Sequence, residues 1–317
     1  MEYYEPRGDA IVQHIEADSS AGPRPWKVSL HGGHSGEFCD HALGTLEEIL
    51  EAAARFGCPT YGVTEHAPRV SAGLLYEEEK AQGWTVDTLL EIFERYVATL
   101  DRLAEKFKGG LTVLRGFECE VVPADCYVEV MLGLKAKYRL DYMVGSVHHV
   151  EGHIIDYRIE SFDASVALCG GMDGFAERYY QTYARMLTDL RPEVAAHFDL
   201  VRRHAPDEES IAGPRARAAA FAALRTVKET GAILDINTGG YRKGFGRPYP
   251  APWILEEARR LEIPVCFGDD SHGPDDVGSH FDAARRYLLA HGYREVTTLA
   301  PAAGGGLEKV AVPLPEA

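Results

Sequence analysis

Short apolar runs alternate along this chain with longer stretches whose apolar positions recur every three or four residues. The runs at 27–30, 60–64, 111–117, 142–147, 194–196, 232–236 and 265–267 have the length and character of buried strands. Between them, 45–56 places leucine-type residues at helical spacing and stops at Gly57, a suitable C-cap. Val86 to Phe107 reads as one strongly amphipathic helix. Residues 124–138 read as mostly helical, and 162–190 as helical with an interruption near Gly170-Gly171. Residues 214–229 read as a helix whose proline suits its first position. Helices over 253–261 and 275–290 follow, and a last apolar run, 309–312, lies in the tail. Residues 1–24 carry proline and glycine and read as an irregular lead-in. Residues 68–85 have no clear period and read as a long loop or lid.

Strands that alternate with helices predict a parallel sheet with right-handed crossovers. No glycine-rich G-x-G-x-x-G follows the first strand, so a dinucleotide-binding fold is not favoured. No low-complexity linker or repeat divides the chain. The pattern predicts one domain over residues 1–317, a closed or nearly closed βα barrel. In such barrels the chemistry lies at the C-terminal ends of the strands.

Those ends carry a recurring residue type. His31-Gly32-Gly33-His34 and His41 follow the first strand, Glu65-His66 the second, Glu118 the third, and His148-His149 the fourth. His197 follows the fifth, with Asp199 two residues on, and Asp270 and His272 follow the last. Residues three apart on a regular strand face opposite ways. Gly32-Gly33 relieves that constraint, because glycine tolerates a bulge or tight turn. Of the adjacent pair, His148 is the one expected to face inward. Each residue alone is more often a hydrogen-bonded structural group than a ligand; agreement at six strand ends is harder to explain that way. His31, His34, His41, His66, His148, His197, His272, Glu118 and Asp270 are too many for one ion and suit two or three. Clustered divalent ions offset the charge of a phosphate and lower the pKa of bound water. Arg69, just after His66, and Arg242, after the sixth strand, are candidates to hold the phosphate, with Arg158 and Lys243 weaker ones. Cys39 lies among the candidate ligands; its plainer reading is a small first-loop residue. No G-x-S-x-G elbow supports covalent acyl chemistry.

Composition narrows the partners. The chain of 317 residues is 45% hydrophobic and 26% charged, ordinary for a folded protein, with a net charge of −16. That charge argues against nucleic-acid binding by a basic surface, but not against a small anionic substrate held by local cations. No run approaches a membrane span, and the acidic start has no secretory h-region. Six cysteines form no Cys-x-x-Cys pair, so a reduced, cytoplasmic chain is expected. Oligomeric state has no signature here.

Taken together, His31-Gly32-Gly33-His34-Ser35-Gly36, His41, Thr64-Glu65-His66-Ala67-Pro68-Arg69, Gly145-Ser146-Val147-His148, Ala196-His197-Phe198-Asp199, Asp235-Ile236-Asn237-Thr238 and Gly268-Asp269-Asp270-Ser271-His272 resemble the polymerase-and-histidinol-phosphatase (PHP) superfamily. Within it they look most like the monofunctional histidinol-phosphatases. The resemblance implies a distorted (β/α)7 TIM-like barrel with a trinuclear centre of zinc, iron or manganese. It implies one ion on His31, His34, Glu118 and Asp270, a second on Glu118, His148 and His197, and a third on His41, His66 and His272. The implied reaction is hydrolysis of L-histidinol phosphate in histidine biosynthesis by a metal-bridging hydroxide, with Glu118, Asp270 and His272 as catalytic residues. The family commonly has His-x-His where this chain has two intervening glycines. Either His31 serves through a Gly-Gly bulge, or the first ion has one protein ligand fewer. Alternatives are another PHP phosphoesterase acting on a nucleotide or other small phosphate ester, and a non-catalytic metal-binding module. An amidohydrolase would usually need a carboxylated lysine bridge, and no strand-end lysine is suitably placed.

Overall fold

The computed structural model describes residues 25–316, so the lead-in expected over 1–24 lies outside the described residues. Among the described residues, ten strands run in order as β1 (Thr60–Val63), β2 (Thr112–Cys119), β3 (Tyr142–Gly145), β4 (His149–Val150), β5 (His153–Ile154), β6 (Val194–Ala195), β7 (Ile233–Asn237), β8 (Val265–Gly268), β9 (Glu295–Pro301) and β10 (Leu307–Pro313). Six of them form one sheet in the order β1-β2-β3-β6-β7-β8. Every pairing in that sheet is parallel, so the strands end on one side.

The sheet is curled. Ser29 bridges in parallel to Tyr61 of β1 and to Phe267 of β8, the two edge strands. Gly62 N donates to Ser29 O at 2.7 Å, and Leu30 N to Phe267 O at 2.9 Å. The strand expected at 27–30 is therefore reduced to a bridging residue. Beyond it, side-chain bonds join the backbone ones: Thr64 N donates to Gly32 O at 2.8 Å and Asp270 N to His31 O at 2.9 Å, while Gly32 N donates to Thr64 Oγ1 at 3.1 Å and Gly33 N to Ser271 Oγ at 2.9 Å.

Inside the curl, Leu30, Leu114, Tyr142, Val144, Val194, Ala196, Ile233 and Cys266 form an inner apolar layer, joined by Leu299 of β9. Tyr142 is its largest member, and its hydroxyl donates to Leu30 O at 2.8 Å. The ring needs two glycines beside it. A Cβ on Gly62 would sit 1.9 Å from the Tyr142 hydroxyl, and one on Gly116 2.5 Å from its ring. The larger apolar layer lies between the sheet and the helices.

The helices follow the sequence pattern closely where caps are explicit. Leu46–Phe56 begins in a capping box made by Thr45 and Glu48 and ends at left-handed Gly57. Val86–Phe107 forms as one helix. Gly170 and Gly171, both at positive φ, separate Ile159–Leu168 from Met172–Leu190. The helix expected over 275–290 is shorter, Phe281–Ala290, preceded by a 3-10 turn at Pro274–Asp276. Left-handed Gly278 sits between them where the Phe56 ring leaves no room for a Cβ. The segment expected to be irregular over 68–85 contains a 3-10 turn, Ala72–Leu74, and a short helix, Glu77–Ala81. The tail strand pairs with β9, which the sequence reading did not find. Among the described residues, no helix is long and apolar enough to cross a membrane.

Tyr142→Phe removes the bond that ties Leu30 to the barrel interior and leaves a buried carbonyl unpaired. It should destabilise the fold by about 1–3 kcal/mol, read as a lower urea midpoint at unchanged slope.

Candidate metal centre

The strand ends bring all nine expected ligands together around Glu118, the penultimate residue of β2. Its Oε1 lies 3.0 Å from His197 Nε2 and 3.5 Å from the Nε2 atoms of both His31 and His148. Its Oε2 lies 2.9 Å from His66 Nδ1 and 3.8 Å from His34 Nε2. Asp270 Oδ1 faces the same space, 3.9 Å from His31 Nε2 and 3.7 Å from both His34 Nε2 and His272 Nδ1. His34 stacks between His66 and His272, with ring centres 4.2 and 4.5 Å away, and His41 stacks on His272 at 5.1 Å. Potential donor atoms within 4.8 Å of one another form four overlapping sets: His31, His34 and Asp270; His31, Glu118 and His197; His34, Glu65 and His66; and Cys39, His41, His66 and His272.

A second ring of acids orients the imidazoles. Asp235 Oδ2 lies 2.9 Å from His31 Nδ1, Glu65 Oε1 3.1 Å from His34 Nδ1, and Glu120 Oε2 2.7 Å from His148 Nδ1. Each carboxylate fixes one ring nitrogen and turns the other toward Glu118, the arrangement that second-sphere groups impose on metal-bound histidine. The Nε2 atoms of His31 and His34 are enclosed and have no hydrogen-bond partner in the protein. Buried polar atoms are seldom left so. A borderline divalent cation is the group these nitrogen and carboxylate donors fit.

The electrostatics follow from packing. Burial alone would raise the Glu118 carboxyl, but His31, His148 and His197 more than offset it and hold it well below the usual carboxylate range. Asp270 is likewise held down against burial by His31 and His272. Burial, with His31 and His41 adding to it, lowers His34 to about 4 despite Glu118 and Asp270. Burial also pulls on His148, but Asp156, Glu118 and Glu120 outweigh it and raise that imidazole to about 10. Two of these residues adopt left-handed backbone, His197 at φ 22° and Asp270 at φ 50°. Non-glycine residues persist there where the surroundings fix them, commonly at functional sites.

The two expected phosphate holders have other partners. Arg69 pairs with the buried carboxylate of Glu79 and stacks on Tyr76 at 4.2 Å. Arg242 Nη2 donates to the carbonyls of Asp269 and Asp270 at 2.7 and 2.6 Å, and its Nη1 to Ser279 Oγ at 2.9 Å. Arg242 thus braces the loop that carries Asp270 and presents no free fork to the centre. His149 faces Glu120, at 3.5 Å, leaving His148 to face Glu118. Asp235 received no role from the sequence reading. Its signal was available: a carboxylate inside the apolar strand β7, fully buried, demands a polar partner.

The PHP-domain family matches residues 31–239. The chain belongs to this family. Its curated relatives include the "probable histidinol-phosphatase" of Schizosaccharomyces pombe, 33% identical over 82% of this chain and 85% of that protein. The histidinol-phosphatase of Bacillus subtilis is 28% identical over 78% of this chain and 94% of its own length. Among solved structures, a histidinol phosphate phosphatase from Lactococcus lactis in complex with zinc, L-histidinol and phosphate has the same fold. Its TM-score is 0.65 at 17% identity, covering 90% of this chain and 100% of that one.

The buried imidazole of His34 gives a pH signature to the metal-free protein. Its folded pKa, about 4, lies below the ordinary value of 6.5. In that window the unfolded chain binds a proton that the folded chain excludes, so stability rises with pH. Chelator-treated protein should therefore melt at progressively lower temperature as pH drops from about 6.5 toward about 4. His34→Gln should reduce that slope, leaving the part set by His66, which burial also lowers to about 4; an unchanged slope in the variant would contradict the assignment.

Proposed function

We propose that this chain is a metal-dependent phosphomonoesterase that hydrolyses L-histidinol phosphate to L-histidinol and phosphate. The observation that carries the metal dependence is the pair of enclosed, unpartnered Nε2 atoms of His31 and His34, which face the ionised carboxylates of Glu118 and Asp270. The substrate follows from the histidinol-phosphatase relatives, which this chain matches over most of its length.

In this reading His31, His34, Glu118 and Asp270 hold one ion, Glu118, His148 and His197 a second, and His41, His66 and His272 a third. Zinc, iron and manganese suit these donors, and the zinc in the Lactococcus protein favours zinc. When bound, such ions neutralise phosphate charge and lower the pKa of water for attack on phosphorus. The protein supplies position. Asp235, Glu65 and Glu120 hold three of the rings, and Arg242 fixes the loop under Asp270. Asp270 and His272, two residues apart on that loop, are with Glu118 the candidate catalytic residues, acting through the ions they would hold. Arg69, beside His66, remains the cation nearest to hand for the phosphate, provided Glu79 yields it. The segment 68–85 that carries both arginine and glutamate would then act as the lid. In this reading the Ser29 segment counts as the seventh strand of a distorted (β/α)7 barrel. Six free cysteines accord with a cytoplasmic enzyme.

Phosphate release by purified, metal-loaded protein tests the reading across L-histidinol phosphate, nucleotides and sugar phosphates. L-Histidinol phosphate should be the preferred ester, and Glu118→Gln should lower its turnover by at least about 100-fold together with metal content. Faster turnover of a nucleotide or sugar phosphate would replace the substrate assignment. Full activity in chelated protein would remove the metal dependence.

A further inference from the structure

The donors assigned to the third ion have a neighbour that the nine-residue assignment leaves out. Cys39 Sγ, together with one nitrogen each from His41, His66 and His272, forms a cluster in which all four atoms lie within 4.8 Å of one another. Sγ is 3.3 Å from each ring nitrogen of His41. A tetrahedral zinc ion with one sulfur and three nitrogen ligands, at ordinary bond lengths, has ligand-to-ligand edges of about 3.3–3.6 Å. The Cys39–His41 pair stands at that spacing, and the other donors of the set lie within 4.8 Å.

The loop around Cys39 is tied to the elements that carry the other three. Cys39 N donates to Ser35 O at 2.8 Å, and Leu43 N to His272 O at 2.7 Å. Ser35 N donates to Glu65 Oε2 at 3.3 Å, joining the loop to the residue before His66. His41 carries the same device as His31, His34 and His148. Asp40 Oδ1 lies 3.0 Å from its Nδ1, which leaves Nε2 for the cluster. Cys39 is buried while the His41 side chain is half exposed, so the sulfur lies on the inner side of the set.

Resting on the metallophosphatase reading, we propose that Cys39 is the fourth protein ligand of the third ion, completing a Cys-His-His-His site with His41, His66 and His272. On binding, the metal–sulfur bond forms and the S–H proton passes to solvent; no redox change is involved. Two consequences follow. A thiolate makes this position select zinc over manganese. Four protein donors also close it, so this ion contributes charge and position while the ions around Glu118 activate water.

The test uses full-length protein loaded with cobalt(II) in place of zinc. Wild-type protein should show a near-ultraviolet thiolate-to-cobalt charge-transfer band. Cys39→Ser should lose the band and hold one ion at least about 10-fold less tightly against a chelator. Cys169→Ser, altered far from the ligand loops, should keep both. Absence of the band from fully loaded wild-type protein, or its survival in Cys39→Ser, overturns the proposal and leaves Cys39 as a hydrogen-bonding partner of His41. Phosphate release from L-histidinol phosphate by the same wild-type sample separates the two readings. Turnover without the band removes only the Cys39 ligand; the band without turnover keeps the metal site and removes the substrate assignment.

Discussion

One buried carboxylate organises this molecule. Glu118 lies within 4 Å of five imidazoles, those of His31, His34, His66, His148 and His197. In water such a group would be hydrated. Inside the barrel mouth its charge must be met by neighbours, because an unpaired buried carboxylate is costly by several kcal/mol. Three strand ends, those of β1, β3 and β6, and the segment after Ser29 are held so that this one side chain is surrounded. The all-parallel sheet makes that geometry available, since every strand delivers its C-terminal residue to the same side.

The surroundings show how such a centre is tolerated. His31, His34 and His148 each have a carboxylate on the far nitrogen, from Asp235, Glu65 and Glu120. These acids belong to different strands or strand ends from the imidazoles they hold, so the orientation of each ring depends on tertiary packing. The inner apolar layer below, centred on Tyr142, fixes the strands relative to one another and reaches up to Leu30, next to His31. Apolar packing lies in that layer and in the helices outside it, while the mouth gathers charge, with left-handed backbone at His197 and Asp270. Separation of this kind lets a site of mutually unfavourable groups persist in a folded chain.

Much of the architecture was legible along the chain because the signals are local. Capping by Thr45 and Gly57, the amphipathic period of Val86–Phe107, and the glycine break before Met172 each depend on residues a few positions apart. Elements whose form depends on distant neighbours were less legible. The first strand is reduced to Ser29, which bridges β1 on one side and β8 on the other, and left-handed Gly278 against Phe56 precedes the shortened helix that ends at Ala290. β9 pairs locally with β10, but its burial comes from Leu299 packing on the distant inner layer.

The sequence by itself determined the inventory of the centre: seven histidines and two acids at the ends of apolar runs, in the order of a PHP domain. That followed from period and spacing, which are properties of neighbouring residues. Tertiary structure decided which atoms meet. It put Asp235 behind His31, turned Arg242 onto the carbonyls of Asp269 and Asp270, paired Arg69 with Glu79, and brought Cys39 to His41, His66 and His272. A side chain's partner in a barrel mouth depends on strand register, twist and loop path. Those are fixed by the whole packed sheet, so no local pattern in the chain encodes them alone.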